Sequence, residues 1–153
     1  MELSAGTATV DELASELAAD LDRVVGLYRS LSQPSPMSLT AAATLATLER
    51  TGPSRLTVLA VREGVSQPAM TQLITRLEDS GLVRRAADPT DGRVVLVAIT
   101  DEGRATLASR RAMRAGKLAA ILAQLTPDHR AALTAALPAL AALGNVHRDD
   151  DLR

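Results

Sequence analysis

The sequence of 153 residues contains no cysteine, no tryptophan and no phenylalanine, and Tyr28 is its only aromatic residue. The absence of cysteine excludes disulfides, thiol redox chemistry and cysteine-ligated zinc sites. A hydrophobic fraction of 46% is still ample for a core. This core must be built from Leu, Val, Ile and Ala, which favours closely packed helices. The length indicates one domain, or one domain with helical arms.

Long apolar runs and an excess of charge are missing as well. Because no signal peptide or membrane-spanning run is recognisable, we expect a cytoplasmic protein with no membrane partner. The formal net charge of −1 argues mildly against non-specific binding of polyanions. It does not exclude a local basic site.

Residues that could perform catalysis are few. An enzyme needs a convergent set of reactive groups, whereas the two histidines, His129 and His147, lie near the C-terminus without a carboxylate cluster at ligand spacing. His129 is more simply a solvated residue in the first turn of a helix. Ser66 lacks the strand and the flanking glycines of a nucleophile elbow. We therefore expect neither an enzyme nor a cofactor or metal.

The stretch from residue 54 to residue 99 organises the chain. Two helical patterns meet there, and Gly64 allows the positive φ that a sharp helix end needs. Ser66 can cap the second helix, and Pro68 suits its first turn. This helix is predicted over Gln67 to Ser80. Its apolar residues follow the i, i+3, i+4, i+7 pattern of a core-facing stripe: Met70, Leu73, Ile74 and Leu77.

The opposite face of the second helix is polar but almost uncharged. An ordinary solvated face would more often carry Lys and Glu. Gln and Thr side chains can hydrogen-bond to base edges, and a threonine methyl can contact the thymine methyl. The pattern is typical of a recognition helix that lies in a DNA groove. The face consists of Gln67, Pro68, Thr71, Gln72 and Thr75, with Arg76 at its edge.

A hairpin pattern follows this helix. Strands are predicted over Leu82–Ala87 and Val94–Ile99, separated by a turn-rich loop. A helix-turn-helix followed by such a hairpin is a winged helix. At the hairpin tip, a solvated Arg93 would be the simpler interpretation if this loop stood alone.

Three segments in this order, GVSQPAMTQLITRLEDSGLVRR, DPTDGR and ITDEGR, resemble the MarR family of bacterial transcription regulators. The resemblance runs from about Leu39 to Leu107. It implies that Arg93 enters the DNA minor groove, where narrow A·T tracts attract a guanidinium, and that Asp91 helps to hold the wing. Arg84 and Arg85 alternate across a strand, so the sequence leaves open which one faces the phosphates. The predicted DNA contacts are Ser66, Gln67, Pro68, Thr71, Gln72, Thr75, Arg76, Arg85, Asp91 and Arg93.

Amphipathic patterns flank the winged helix on both sides. A long helix is predicted over Asp11–Leu31, ended by the two prolines of residues 33–36. After the wing, one helix should run from Thr100 to about Gln124 and another from Thr126 to Gly144, kinked or interrupted at Pro138.

The predicted organisation has four parts. They are an N-terminal dimerisation helix (1–37), a winged helix-turn-helix domain (38–100), C-terminal dimerisation helices (101–144) and a polar tail without regular structure (145–153). The fold class is therefore mainly α with a small β-hairpin wing (α+β).

The flanking helices carry more apolar surface than a small winged helix can bury. A single helical core is one explanation, but the family resemblance implies a dimerisation layer. A homodimer would set two recognition helices about one DNA turn apart, on the order of 34 Å, and would match a pseudo-palindromic operator. The predicted dimerisation residues are Leu13, Leu17, Leu21, Val24, Leu118, Leu122, Leu133 and Leu140.

These observations predict a sequence-specific regulator that binds double-stranded DNA, most simply a repressor. The alternatives are a winged-helix module that binds protein instead of DNA, and a purely structural helical adaptor. Arg93 at the wing tip and the Gln/Thr face argue against both.

The resemblance implies three kinds of switch: small aromatic or phenolic ligands, cysteine oxidation and zinc. Without cysteine, and with two scattered histidines, only the organic ligand remains. We expect its pocket near Tyr28, with Arg23 or Arg29 meeting an anionic group. Packing of Tyr28 in the core is the alternative.

Overall fold

The computed structural model describes residues 9–32 and 37–150, with side chains described as far as Gly144. The chain divides into two compact units, residues 1–35 and residues 36–153. The first unit contains helix α1 (Val10–Leu31). A capping box begins this helix, because the Thr9 hydroxyl accepts a hydrogen bond from the Glu12 amide and the Glu12 carboxylate accepts one from the Thr9 amide. The prolines predicted to end α1, Pro34 and Pro36, lie outside the described residues.

The second unit contains the remaining helices and a small antiparallel sheet with strand order β1-β3-β2. The fold class is confirmed: the chain is mainly helical and carries a hairpin wing. The elements are α2 (Leu39–Thr51), β1 (Ser54–Arg55), α3 (Leu56–Arg62), α4 (Gln67–Asp79), β2 (Val83–Ala87), β3 (Val95–Ile99), α5 (Asp101–Leu122) and α6 (Pro127–Asp150).

The third strand is an element that the sequence analysis missed. Strand β1 pairs Ser54 with Val97 and Arg55 with Leu96, so it ties the wing hairpin to the start of α3. Two residues are too short to show the alternation that identifies a strand. Arg55 also occupies the N-cap position of α3.

The core lies between α2, α3, α4 and the sheet. All four residues of the predicted α4 stripe are buried, which confirms that this face packs inward. Burial of an aliphatic side chain of this size contributes about 1.5–3 kcal/mol. The fully buried apolar side chains are Leu45, Leu48, Leu59, Met70, Ile74, Val83 and Val97.

Side-chain caps fix where the helices of this unit begin. Ser38 accepts a hydrogen bond from the Ala41 amide at 3.1 Å and so caps α2. Thr100 caps α5 through the Gly103 amide at 3.0 Å, and the Thr126 hydroxyl accepts from the amide of His129 at 3.2 Å. Such caps satisfy amide groups that have no partner within the helix.

The C-terminal helix differs from the prediction. Helix α6 spans Pro138 without interruption and continues to Asp150, so a tail without regular structure from residue 145 onward is wrong as far as Asp150. Gly144 does not take the positive φ that ends a helix, in contrast to Gly52 and Gly64. The Ala and Leu residues around Pro138 are strong helix formers, which favours continuation.

Candidate nucleic-acid interface

The turn between α3 and α4 sets the direction of α4. Gly64 has a φ of 62°, and the Val65 amide donates to the Ala60 carbonyl at 3.0 Å, which closes the end of α3. The Ser66 hydroxyl accepts from the Ala69 amide and so begins α4. The buried Thr47 hydroxyl donates to the Glu63 carboxylate at 2.8 Å. The turn is therefore held to α2 as well.

The outer face of α4 is exposed along its length, including all six residues that the sequence singled out. Its two threonine hydroxyls are already engaged with their own helix. The Thr71 hydroxyl donates to the Gln67 carbonyl at 2.9 Å, and the Thr75 hydroxyl donates to the Thr71 carbonyl at 3.0 Å. Gln67 and Gln72 carry the longest uncharged side chains on this face.

A second set of contacts ties strand β2 to α4. The Arg85 guanidinium forms an ion pair with the Glu78 carboxylate and also donates to the Thr75 hydroxyl at 3.2 Å. The Arg85 amide donates to Glu78 as well, at 3.1 Å. Sequence reasoning did not single out Glu78, because an acidic residue on a helix surface is the commonest kind of solvated side chain.

Strand pairing places the two arginines of β2, Arg84 and Arg85, on opposite faces of the sheet. Arg85 is the cross-strand partner of the buried Val97, so its side chain leaves the sheet on the face toward α4. Arg84 leaves the sheet on the opposite face and is exposed. Within residues 9–32 and 37–144, the guanidinium groups of Arg76, Arg84 and Arg93 form no ion pair.

The wing tip is held by two aspartates. Asp88 accepts hydrogen bonds from the Thr90 hydroxyl at 2.6 Å and from the Thr90 amide at 2.8 Å. These bonds hold the pKa of the Asp88 carboxyl below its usual value, with the Thr90 hydroxyl as the largest cause. Asp91 accepts from the Arg93 amide at 3.1 Å, which leaves the Arg93 side chain exposed at the tip. The Asp-Pro-Thr sequence belongs to the turn-rich loop predicted here, whereas the hydrogen bonds of Asp88 were not predicted.

Comparison with known proteins identifies the family. A model of the MarR family matches residues 37–95. A helix-turn-helix transcriptional regulator of Mycobacterium bovis is 37% identical over 131 residues, which are 86% of this chain and 92% of that relative. The chain belongs to the MarR family. It is therefore a DNA-binding transcription regulator.

Two further similarities agree with this assignment. The crystal structure of RV1404 from Mycobacterium tuberculosis superimposes with a TM-score of 0.75 and 28% identity, over 92% of this chain and 97% of that one. The homoprotocatechuate degradative operon repressor of Escherichia coli is 33% identical over 92 residues, which are 60% of this chain and 62% of the repressor.

Helix α5 of this MarR family protein packs closely against the winged helix. A Cβ atom on Gly103 would overlap the Leu82 carbonyl oxygen and lie 2.8 Å from Cγ1 of Ile99. Farther along α5, the buried Arg110 donates to the Met37 carbonyl at 3.2 Å, and Arg111 forms an ion pair with Glu49 at 2.6 Å. Helix α5 is therefore packed against the end of β3 at Gly103 and bonded to Met37 and α2 farther along.

An open cavity of about 420 Å³ lies between the start of α2, the inner edge of α4 and α5. Its wall is mostly apolar, but Arg76 brings a positive charge and Ser38, Ser80 and Thr106 bring hydroxyls. Arg76 also borders the outer face of α4. The remaining wall residues are Met37, Ala41, Leu73, Leu77 and Leu82.

The effector residues predicted from the sequence lie in α1. Arg23 forms an ion pair with Asp20 at 2.9 Å. Tyr28 is 38% exposed, and α1 has no buried residue. All residues that line the 420 Å³ cavity follow residue 36. A pocket at Arg23, Tyr28 and Arg29 therefore stays a separate prediction.

Apolar side chains predicted for the dimer layer are largely uncovered in the single chain. In α1, Leu13 is 57% exposed and Val24 56%. In α6, Leu133 and Leu140 are 45% and 46% exposed. Leu21 is 40% exposed, whereas Leu17, Leu118 and Leu122 are partly buried.

The described part of the chain contains neither a metal-binding cluster nor a membrane-spanning helix. There, the histidine, aspartate and glutamate side chains form no group of three or more that could hold a metal ion. Over the same residues, no helix combines the length and hydropathy of a membrane span.

Proposed function

We propose that this MarR family regulator is a homodimeric repressor that binds a pseudo-palindromic DNA duplex. One observation carries the proposal: the exposed Gln/Thr face of α4 and the exposed Arg93 belong to one winged helix. Uncharged hydrogen-bonding groups suit base edges in the major groove, and a tip arginine suits the minor groove. The proposed contacts are Ser66, Gln67, Pro68, Thr71, Gln72, Thr75, Arg76, Arg85, Asp91 and Arg93.

The dimer is supported by the exposed leucines of α1 and α6. Exposed apolar side chains in this number favour association, because a second copy that covers them removes apolar surface from water. A two-fold dimer would present two recognition helices to two half-sites, and simultaneous binding raises affinity without any new contact.

Repression is supported by the name of the E. coli relative, an operon repressor. A dimer bound across a promoter excludes the polymerase by occupancy. Because such a regulator works on the chromosome, we propose a cytoplasmic location.

Release by a small aromatic or phenolic ligand is supported by the cavity beside α4. Its apolar wall and Arg76 suit a flat, apolar anion. Arg76 belongs both to the cavity wall and to the edge of the DNA-reading face, so a ligand bound there would change the recognition helix. By linkage, such a ligand must bind less tightly to the DNA-bound protein, typically by roughly 1–3 kcal/mol. Arg23, Tyr28 and Arg29 form the second proposed location.

The experiment is to sequence the chromosomal DNA that co-precipitates with the protein and then to measure binding of the enriched fragments by gel shift. We expect enrichment of a few inverted repeats and increased transcription of the adjacent genes when the regulator is deleted. Enrichment of no sequence, together with capture of a protein partner by the winged helix, would favour the protein-binding alternative instead.

The ligand is tested on the same DNA complex. Salicylate and related apolar anions are expected to release the operator, and Arg76→Gln should weaken that release. Peroxide and zinc are the matched controls, because the chain has no cysteine. Release by zinc or peroxide but by no organic anion would contradict the proposed switch.

A further inference from the structure

The hydroxyl groups of Thr71 and Thr75 have no donor hydrogen left for DNA. A threonine hydroxyl has one donor hydrogen and two acceptor lone pairs. In both residues the donor points back to the carbonyl four residues earlier, at 2.9 Å and 3.0 Å. Thr75 also accepts from Arg85 at 3.2 Å. Neither hydroxyl is therefore free to donate to a base.

The orientation of the hydroxyls decides what each threonine presents outward. The Cβ atom of threonine carries a hydroxyl, a methyl and a hydrogen. Because the hydroxyl turns back toward the helix, the methyl is the larger group left on the outer side. Both residues are exposed on the face that the proposed function assigns to the major groove.

In the major groove, only thymine offers an apolar partner to such a methyl, namely its C5-methyl group. Guanine offers only acceptors at its N7 and O6 atoms, which need a donor. Thr71 and Thr75 have no hydroxyl donor to offer guanine, and their methyl groups favour thymine at the positions that they contact.

We infer that Thr71 and Thr75 are specificity-determining residues that select thymine through methyl–methyl contact, with their hydroxyls serving the helix. The inference rests on the proposed DNA binding and adds the class of base that this face reads. The two residues are four positions apart, about 6 Å along the axis. The two thymines should accordingly lie within about two base steps of each other, since bases repeat every 3.4 Å or so along one strand.

The inference is tested on a duplex selected by the full-length wild-type protein from a random library. Each thymine of the half-site is replaced by deoxyuridine, which removes only the C5-methyl group. We expect two positions at which the wild-type protein binds about fourfold more weakly, the value of one buried methyl.

Paired substitutions assign the effect to the protein methyl. Thr71→Ser keeps the hydroxyl and removes the methyl, so it should abolish the deoxyuridine penalty at one position. Thr71→Val keeps a methyl and removes the hydroxyl, so it should retain that penalty. Thr75→Ser and Thr75→Val should behave in the same way at the other position.

Thr134 provides a matched control on α6, because it is exposed and its hydroxyl donates to the Arg130 carbonyl at 2.9 Å in the same geometry. Thr134→Ser should leave every deoxyuridine penalty unchanged.

Three outcomes would overturn the inference. They are selected half-sites without thymine, no deoxyuridine penalty at any position, and a penalty that is lost in the valine variants but retained in the serine variants. Each would leave the proposed DNA binding intact. Failure of the wild-type protein to bind any duplex would instead refute both.

Discussion

Helices α4 and α6 each carry an apolar stripe, yet only the stripe of α4 is buried within the chain. Ile74 of α4 is fully buried and Leu77 is 5% exposed. In α6, Leu137 is 61% exposed and Leu143 is 48% exposed. The periodicity of the two helices therefore predicts that each has a partner, but it does not tell whether that partner belongs to the same chain.

The exposed surfaces of the two helices also differ in chemistry and in proposed partner. The outer face of α4 is built from Gln and Thr side chains and is proposed to meet DNA. Helix α4 therefore packs within its own chain and is proposed to bind DNA. The stripe of α6 is proposed to pack against a second copy of the chain.

The largest expected effect is on folding and follows from truncation of the buried stripe. Ile74→Ala leaves a cavity among fully buried side chains, so we expect the free energy of unfolding to fall by about 2–5 kcal/mol in urea titrations. Val61→Ala is the control, because Val61 is 59% exposed on α3 and should change stability by about 0.5 kcal/mol or less. An equal effect of both substitutions would contradict the assigned core.

The next largest effect is expected on dimerisation, from a substitution in the exposed apolar stripe of α6. Leu137→Glu places a charge in the proposed dimer layer, so we expect a folded monomer in analytical ultracentrifugation. Operator affinity should fall by about 10² because two half-sites are no longer bound together.

Ala135→Glu is the matched control for this substitution. Ala135 is also exposed but lies about 140–160° around α6 from Leu133, Leu137 and Leu140, at about 100° per residue. It should leave the protein dimeric. A dimer that tolerates Leu137→Glu but not Ala135→Glu would place the interface on the other face of α6.

Removal of one base-reading side chain should have a smaller effect. Gln72→Ala is expected to cost roughly 1–3 kcal/mol on the cognate site and to relax the base preference at one position. The measurement is a set of fluorescence-anisotropy titrations with every single-base variant of the half-site. A uniform loss on all sequences would show that Gln72 does not read a base.

The wing should contribute less to operator affinity than Gln72. Arg93→Ala removes an exposed side chain that forms no ion pair, so folding and dimerisation should be unchanged. We expect roughly tenfold weaker operator binding, with the loss concentrated on sites that have A·T-rich flanks. Operator binding at full strength by a folded Arg93→Ala protein would remove minor-groove insertion from the proposal.

The smallest effect is the response of the wing to acid. Because hydrogen bonds from Thr90 lower the Asp88 pKa, the ionised carboxylate stabilises the turn. That stabilisation is fully present above the usual aspartate pKa, about 3.9, and is lost as the pH falls through the lowered value. The Thr90 amide signal in NMR should therefore shift only below about pH 4, and Asp88→Asn should abolish the shift. A transition above the usual aspartate pKa would contradict the lowered value.

Sequence patterns predicted most of the winged helix because its signals are local. The α4 stripe, the Gly64 turn and the caps at Ser66 and Thr100 each depend on residues within one or two turns of chain. Strand β1 was missed because pairing with β3 joins residues more than forty positions apart and involves only two of them. The end of α6 was misplaced because a glycine was taken as a stop signal, although Gly144 keeps a helical backbone.

The residue types of the candidate site were predictable from the sequence, but the contacts among their side chains were not. The exposed Gln and Thr residues follow from periodicity alone. The Arg85–Glu78–Thr75 contacts and the close approach at Gly103 depend on how the sheet and α5 pack against α4. The same holds for the cavity at Arg76, whose wall comes from three helices and the segment that follows α4.

The central claim is that the stripe of α6 is covered by a second copy while both copies of α4 face one DNA duplex. Native mass spectrometry of the protein with its selected operator tests this claim most directly, because it counts chains per duplex. We expect two chains on one duplex, and much weaker binding to a duplex that contains a single half-site. One chain on the complete operator, at the same affinity as on a single half-site, would contradict the account.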